Sequence, residues 1–79
     1  MQTARKGYVY RHFKGGSYVV IDIIHDRTND SEIIVYMQLQ GDGIVYSRTR
    51  EDFFDNVLNR IDNTCKQETR FTLARVCRY

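Results

Sequence analysis

The stretch from Ser17 to Arg48 reads SYVVIDIIH-DRTNDS-EIIVYMQLQ-GDG-IVYSR, and its punctuation decides the fold. Three runs rich in Val, Ile and Tyr are separated by two clusters of turn-forming residues, the pattern of consecutive antiparallel strands. In the first run, Ser17 to His25, the odd positions Val19, Ile21 and Ile23 form one apolar face. The even positions Tyr18, Val20, Asp22 and Ile24 form a second, broken only at Asp22. A strand apolar on both faces belongs in the middle of a sheet. The second run, Glu32 to Gln40, sets Ile34, Tyr36 and Gln38 against Ile33, Val35, Met37 and Leu39. Gly41-Asp42-Gly43 supplies the positive φ angles of a tight hairpin, and Ile44 to Arg48 is the return strand.

Upstream, Gly7 to Phe13 alternates and stops at Lys14-Gly15-Gly16, which predicts a first strand. Downstream the period changes. Thr49-Arg50-Glu51-Asp52 resembles a capping box, and Phe54, Val57, Leu58 and Ile61 follow at helical spacing. The spacing predicts a short helix over Arg50–Val57, extending at most to Arg60 and broken at Asp62-Asn63-Thr64. Glu68 to Val76 reads as a closing strand with Phe71 and Leu73 inward. The expected architecture is mainly β: a small SH3-like antiparallel barrel or curled sheet of about five strands with that one helix. At 79 residues there is room for a single domain, 1–79, led by a polar tail over residues 1–6.

Composition narrows the function classes. Hydrophobic residues make up 42% and charged residues 28%, too apolar and too balanced for a disordered chain. No apolar run reaches the ~20 residues of a membrane helix. The segment Met1–Lys6 has no apolar core or small-residue cleavage site, the pattern of a chain without a secretory leader, so the expected location is the cytoplasm. Net charge is +2, too mild for a general nucleic-acid footprint. Nine of the twelve basic residues are Arg, which fits either a discrete anion site or simple surface decoration. Cys65 and Cys77 match no zinc or redox spacing and are expected to be free thiols, a disulfide across a turn being the alternative.

The block Tyr10-Arg11-His12-Phe13-Lys14-Gly15, followed by Tyr18-Val19-Val20, resembles a family of small bacterial and phage proteins of unknown function, DUF1653. The similarity continues through His25, Ile34-Val35-Tyr36, Leu39, Gly41-Asp42, Arg48, Phe53-Phe54 and Arg70-Phe71, spanning roughly Gly7 to Leu73. Two features depart from the pattern. Tyr46-Ser47 and Thr49 flank Arg48 where the family usually places Trp before and Pro after, and the segment between Phe54 and Arg70 is longer than expected. The resemblance implies a small β fold and a shared set of residues. It implies no reaction.

Catalysis through His12 or His25 would need an activated Ser or Cys within reach and a third group to orient the base. Ser17, Ser47 and Cys65 stand in no such context, and the spacing of His, Cys and carboxylates suggests no metal set. Lys14-Gly15-Gly16 is a hairpin turn and not a phosphate loop. No enzyme activity, cofactor or metal is expected. The informative constellation is basic residues interleaved with aromatics. Arg11 and Arg48 lie on strands, where an arginine must reach solvent or meet an anion. If the first and fourth strands approach one another, Arg11, Lys14, Arg48 and Arg50 would line a basic pocket walled by Tyr36 and Tyr46, with His12 donating a hydrogen bond. The alternative is an internal salt bridge from Arg11 or Arg48 to Asp22, Glu32 or Asp42.

These residues point to a non-enzymatic binder of a small, anionic, nucleotide-like ligand at Arg11, His12, Lys14, Tyr36, Tyr46 and Arg48. The phage members of the resembling family suggest one specific form, an anti-defence sponge that sequesters a nucleotide-derived immune signal in the host cytoplasm. Competing classes are a single-stranded nucleic-acid binder, with stacked tyrosines in a basic groove, and a protein-interaction module. Thin cores favour subunit pairing, so a homo-oligomer is expected, with Val20 and Ile24 as surplus apolar surface for the partner to cover.

Overall fold

The computed structural model describes residues 4–76. Its elements run β1 (Tyr8–His12), β2 (Ser17–Asp26), β3 (Ser31–Gln38), β4 (Val45–Thr49), α1 (Arg50–Phe53) and β5 (Phe71–Val76). The strands form one antiparallel sheet in the order β4-β3-β2-β1-β5. The Ser17–Arg48 meander therefore provides three adjacent strands, and β5 returns to the far side of β1. β4 and β5 remain at opposite edges, so the sheet is curled and open, the second of the two expected architectures. Gly41 and Gly43, at φ 72° and 65°, turn the β3–β4 hairpin.

The doubly apolar β2 does lie at the centre of the sheet, but its faces do not alternate throughout. Val20 pairs with Tyr36 while Asp22 pairs with Val35, so Ile21 is an extra residue in a bulge. Alternation inverts there. Tyr18 and Val20 face the core before the bulge, and Ile23 packs against it afterwards. Asp22 is thereby turned away, where its carboxylate accepts Ile23 N–H at 2.9 Å and pairs with Lys6 at 3.2 Å. Val20, expected as surplus surface, is a core residue at 1% exposure; Ile24 is exposed as expected.

The concave side holds an aromatic core. Phe53 and Phe71 are fully buried, and their rings stack at 4.2 Å with an interplanar angle of 3°. Tyr10 and Tyr36 meet Phe53 edge-on at 5.2 and 5.4 Å. A single helical turn is enough to deliver Phe53. Thr49 caps it, its hydroxyl accepting Asp52 N–H at 3.2 Å, as the capping box implies.

The helix stops at Phe53, four residues short of the predicted Val57. The backbone beyond it has a better partner. Arg70 N–H donates to the Asp55 carbonyl at 2.8 Å, Val57 N–H to Glu68 at 2.9 Å, and Asn56 bridges Thr69. Of the residues at helical spacing, Val57 is buried, whereas Leu58 is largely exposed and Ile61 entirely so. The loop closed by this bridge is organised around Asn63, a buried polar side chain at 1% exposure. Its Nδ2 donates to the carbonyls of Val57 and Gln67 at 2.8 and 2.7 Å, and its Oδ1 accepts Gln67 N–H at 3.2 Å. Cys65 is a free thiol whose Sγ lies 3.3 Å from the Phe13 carbonyl; Cys77 lies outside the described residues. Among the described residues, no helix is long and apolar enough to cross a membrane.

Candidate functional site

Along β1 the side chains alternate, so Tyr10 and His12 share the core face and Arg11 falls on the other. His12 pairs with Phe71 of β5, Tyr18 of β2 stands opposite Gln38, and Tyr36 of β3 stands opposite Tyr46 of β4. The curl of the sheet brings these positions around a small cavity of ≈100 Å³ lined by His12, Tyr18, Tyr36, Tyr46, Arg48 and Phe71. That is well below the size at which ligand sites begin, about 300 Å³, so the space suits one oxyanion group and not a whole nucleotide. An open groove of ≈490 Å³ shares Tyr36, Tyr46 and Arg48 with it and continues past Ile33, Thr49 and Asp52. That volume is within the range of ligand sites, about 300–1,000 Å³.

The polar groups of the cavity are mostly donors. Arg48 Nε donates to the Tyr36 hydroxyl oxygen at 2.9 Å, which fixes the guanidinium and leaves the tyrosine proton free to donate elsewhere. Burial, opposed by that contact, pushes the Tyr36 hydroxyl above its ordinary pKa, so it remains a donor at neutral pH. The nearest carboxylate to Arg48 is Asp52, at 4.0 Å on the groove side, too distant to neutralise it fully. Tyr46 stacks on Tyr36 with ring centroids 5.7 Å apart, and Tyr18 meets both edge-on at 5.6 and 6.3 Å.

His12 is held on several sides, with Tyr18 edge-on at 6.2 Å. Its Nδ1 accepts the backbone N–H of Lys14 at 3.1 Å, and its ring stacks on Phe13 at 4.8 Å and meets Phe71 edge-on at 4.9 Å. Accepting at Nδ1 requires the neutral tautomer with its proton on Nε2, which makes Nε2–H the ring's remaining donor. Burial is the main reason its pKa is lowered to about 4, and the nearby positive charges of Arg48, Arg70, Lys14 and Arg60 add to it. The same four charges that repel a proton there favour an anion.

The lowered pKa fixes a pH dependence. Between about 4 and the unfolded value near 6.5, the unfolded chain binds a proton that the folded chain refuses. Stability is therefore expected to fall as pH drops through that window. Asp62, held down to about 2 by hydrogen bonds from Arg60 and Lys14, loses its contribution only below the ordinary carboxylate range. In chemical denaturation at a series of pH values, His12→Asn, which keeps an acceptor for Lys14 N–H, should flatten the slope between pH 4 and 6.5. An unchanged slope would place His12 in a solvated environment.

Four of the six residues expected from sequence thus converge: His12, Tyr36, Tyr46 and Arg48. Arg11 is exposed on the opposite face, and Lys14 pairs with Asp62 at 3.1 Å, so both stand outside the cavity. Arg50 turns to Glu32 and Glu51, at 3.8 and 3.6 Å. Asp22 pairs with Lys6 and Glu32 with Arg50, and Arg48 makes a salt bridge other than those expected, the 4.0 Å contact with Asp52. Tyr18 and Phe71 complete the cavity; no sequence motif marks them as site residues, although Tyr18 shares strand parity with the core residue Val20. A larger hollow of ≈600 Å³ lies beside Tyr8, Tyr10 and Phe54, but it sets Glu68 with its one arginine, Arg5, and its Gln67 amide and Thr69 hydroxyl already donate to backbone carbonyls.

The family model described as "Protein of unknown function (DUF1653)" matches residues 8–73. The chain is similar to a crystal structure of a DUF1653 protein from Bordetella bronchiseptica, with a TM-score of 0.71 and 23% identity over 100% of this chain and 97% of that one. That likeness shows a shared fold. No curated protein gives a significant match.

Proposed function

We propose that this chain, which belongs to the DUF1653 family, is a non-catalytic protein that binds a small anionic, nucleotide-like ligand in the cleft between β1 and β4. One observation carries the reading: Arg48, His12 and the Tyr18, Tyr36 and Tyr46 side chains surround a single ≈100 Å³ cavity that shares Tyr36, Tyr46 and Arg48 with a ≈490 Å³ groove. A phosphate or comparable oxyanion takes the cavity, where Arg48 and the hydroxyls donate to it. A planar base lies in the groove along the half-exposed Tyr46 ring. The chemistry of the cavity supports binding over nucleophilic catalysis. The cavity is lined by neither Ser nor Cys, and the imidazole spends Nδ1 on a backbone N–H, so no carboxylate orients it as a base. Sequestration of a nucleotide signal is the specific form of this reading that fits so small a domain.

The test is a thermal-shift screen against nucleotides, cyclic dinucleotides, ADP-ribose derivatives and short oligonucleotides. A ligand at a hundredfold excess over its dissociation constant stabilises the native state by about 2.7 kcal/mol. For a domain of this size each kcal/mol raises the melting temperature by about 4–8 °C. A shift confined to one nucleotide class, with the ligand recovered intact after denaturation, supports sequestration. Conversion of the ligand would make the protein an enzyme, and a preference for long single strands that weakens steeply with salt would make it a nucleic-acid binder. No shift with any probe overturns the anion site.

A further inference from the structure

The edge strand β4 bears on how the cleft is completed. β3 and β4 pair Tyr36 with Tyr46 and Ile34 with Arg48, and Gln38 N–H donates to the Ile44 carbonyl at 3.0 Å. In an antiparallel ladder hydrogen-bonded and non-bonded pairs alternate. Positions 44, 46 and 48 therefore direct their backbone groups to β3, and Val45, Ser47 and Thr49 turn theirs outward from the end of the sheet. Proteins usually blunt such an edge with proline, lysine or a bulge. β4 has no proline, lysine or bulge, its one charged side chain, Arg48, lines the cleft, and its register with β3 is unbroken. The opposite edge does carry one, a bulge at Val9/Tyr10 where β1 meets β5. The β4 edge also exposes apolar surface: Ile44, Val45 and Tyr46 are 47%, 51% and 39% accessible.

The geometry points to β4 pairing antiparallel with β4 of a second copy of this chain, across a two-fold axis at Ser47, so that each Arg48 faces the partner's Tyr46 and two anion clefts merge into one. The register follows from the backbone. A two-fold axis at Tyr46 or Arg48 would still bond Val45 to Ser47 or Ser47 to Thr49, but would run one end of β4 into the partner's hairpin or helix and leave it unpaired. An axis at Val45 would run the pairing into the Gly41–Gly43 hairpin, and one at Thr49 would run it into α1. Only Ser47, the middle of the strand, pairs all of β4. There Ser47 exchanges N–H···O bonds with the partner's Ser47, and Thr49 N–H reaches the partner's Val45 carbonyl. Tyr46 and the partner's Arg48 become a non-hydrogen-bonded pair, the kind whose side chains approach most closely, and a guanidinium over a tyrosine ring is a favourable contact. The pairing is two-fold symmetric and sets the cation of each Arg48 against the partner's Tyr46 ring, and this match argues for a second copy of this chain as the occupant.

Strand spacings put the two Arg48 Cα atoms about 8 Å apart. Their like charges oppose pairing until an anion bridges them, so a polyanion and the second subunit promote one another's binding. The ligand part of this inference rests on the proposed anion site, whereas the strand pairing does not.

The experiment compares disulfide cross-linking of Ser47→Cys and Val45→Cys under mild oxidation, with the wild type setting the background from the native cysteines, and measures mass by sedimentation with and without pyrophosphate. Ser47→Cys should cross-link well above background and Val45→Cys should not, because Val45 lies opposite Thr49 and far from its own copy. Pyrophosphate should raise the dimer fraction of the wild type. Ser47→Pro, which removes only an outward N–H, should be folded by circular dichroism, monomeric, and a weaker pyrophosphate binder. Background-level cross-linking of both variants, equal cross-linking of both, or a monomeric wild type at high concentration with pyrophosphate present would overturn the pairing. Pyrophosphate binding without cross-linking would leave the anion site standing alone. Cross-linking without pyrophosphate binding would leave the strand pairing standing alone.

Discussion

Arg48→Ala is expected to lower affinity for the ligand by about a hundredfold, equivalent to about 2.8 kcal/mol, because it removes the one guanidinium in the cavity. The effect on stability should be smaller. Arg48 makes one hydrogen bond to the Tyr36 hydroxyl, and its loss costs about 1 kcal/mol, a fall of several degrees in melting temperature. Arg48→Lys keeps the charge without the planar fork and should bind at an intermediate level. Arg11→Ala should bind as the wild type does, since Arg11 faces away. Isothermal titration of the four proteins with the strongest ligand from the screen checks the ranking. Equal losses in Arg11→Ala and Arg48→Ala would mean that the ligand responds to net charge and not to the cleft.

Asn63→Ala is expected to be the most damaging single change in the loop between α1 and β5, at about 3 kcal/mol. It leaves the carbonyls of Val57 and Gln67 and the N–H of Gln67 without the partner that a side chain only 1% exposed gives them. Asn63→Asp should be no better, since it replaces the donor with a carboxylate facing two carbonyl oxygens. Urea denaturation gives the difference directly. The loop also carries Arg60 and Arg70, whose charges act on His12, so loosening it should let the His12 pKa move up towards its ordinary value. A loss below 1 kcal/mol would mean that the loop stands on the Asn56–Thr69 bridge alone.

The meander from Ser17 to Arg48 could be read from sequence because strand alternation and the Gly41–Gly43 turn are local properties. The bulge at Ile21 could not, because VVIDII is apolar at both parities and either register buries hydrophobic residues. Helical spacing over-extends the helix for a related reason. Phe54, Val57 and Leu58 have helical spacing, but a long-range bridge to Thr69 competes successfully for that backbone. At the site, Arg48 and the Tyr36–Tyr46 pair were legible as strand residues facing one another across a hairpin. Arg11 and His12 are neighbours on one strand and cannot share a face, so parity alone separates them. Lys14 belongs to a turn, and its capture by Asp62 depends on a loop whose course has no local pattern. Asn63 gives no sequence cue at all: its importance arises from four contacts made after the loop has closed.

The most direct measurement is a ¹⁵N NMR titration of the wild type with pyrophosphate and with AMP, following the His12 ring and the Arg48 and Arg11 side chains. Before addition, His12 should be neutral at pH 7 with its proton on Nε2 and a pKa of about 4. On binding, the His12 Nε2 and Arg48 Nε resonances should move together and saturate, Arg11 should stay in place, and the His12 pKa should rise because the bound anion offsets the surrounding positive charge. Resonances of His12 and Arg48 that do not move with either probe, or a saturable shift at Arg11 instead, would contradict an anion site in this cleft.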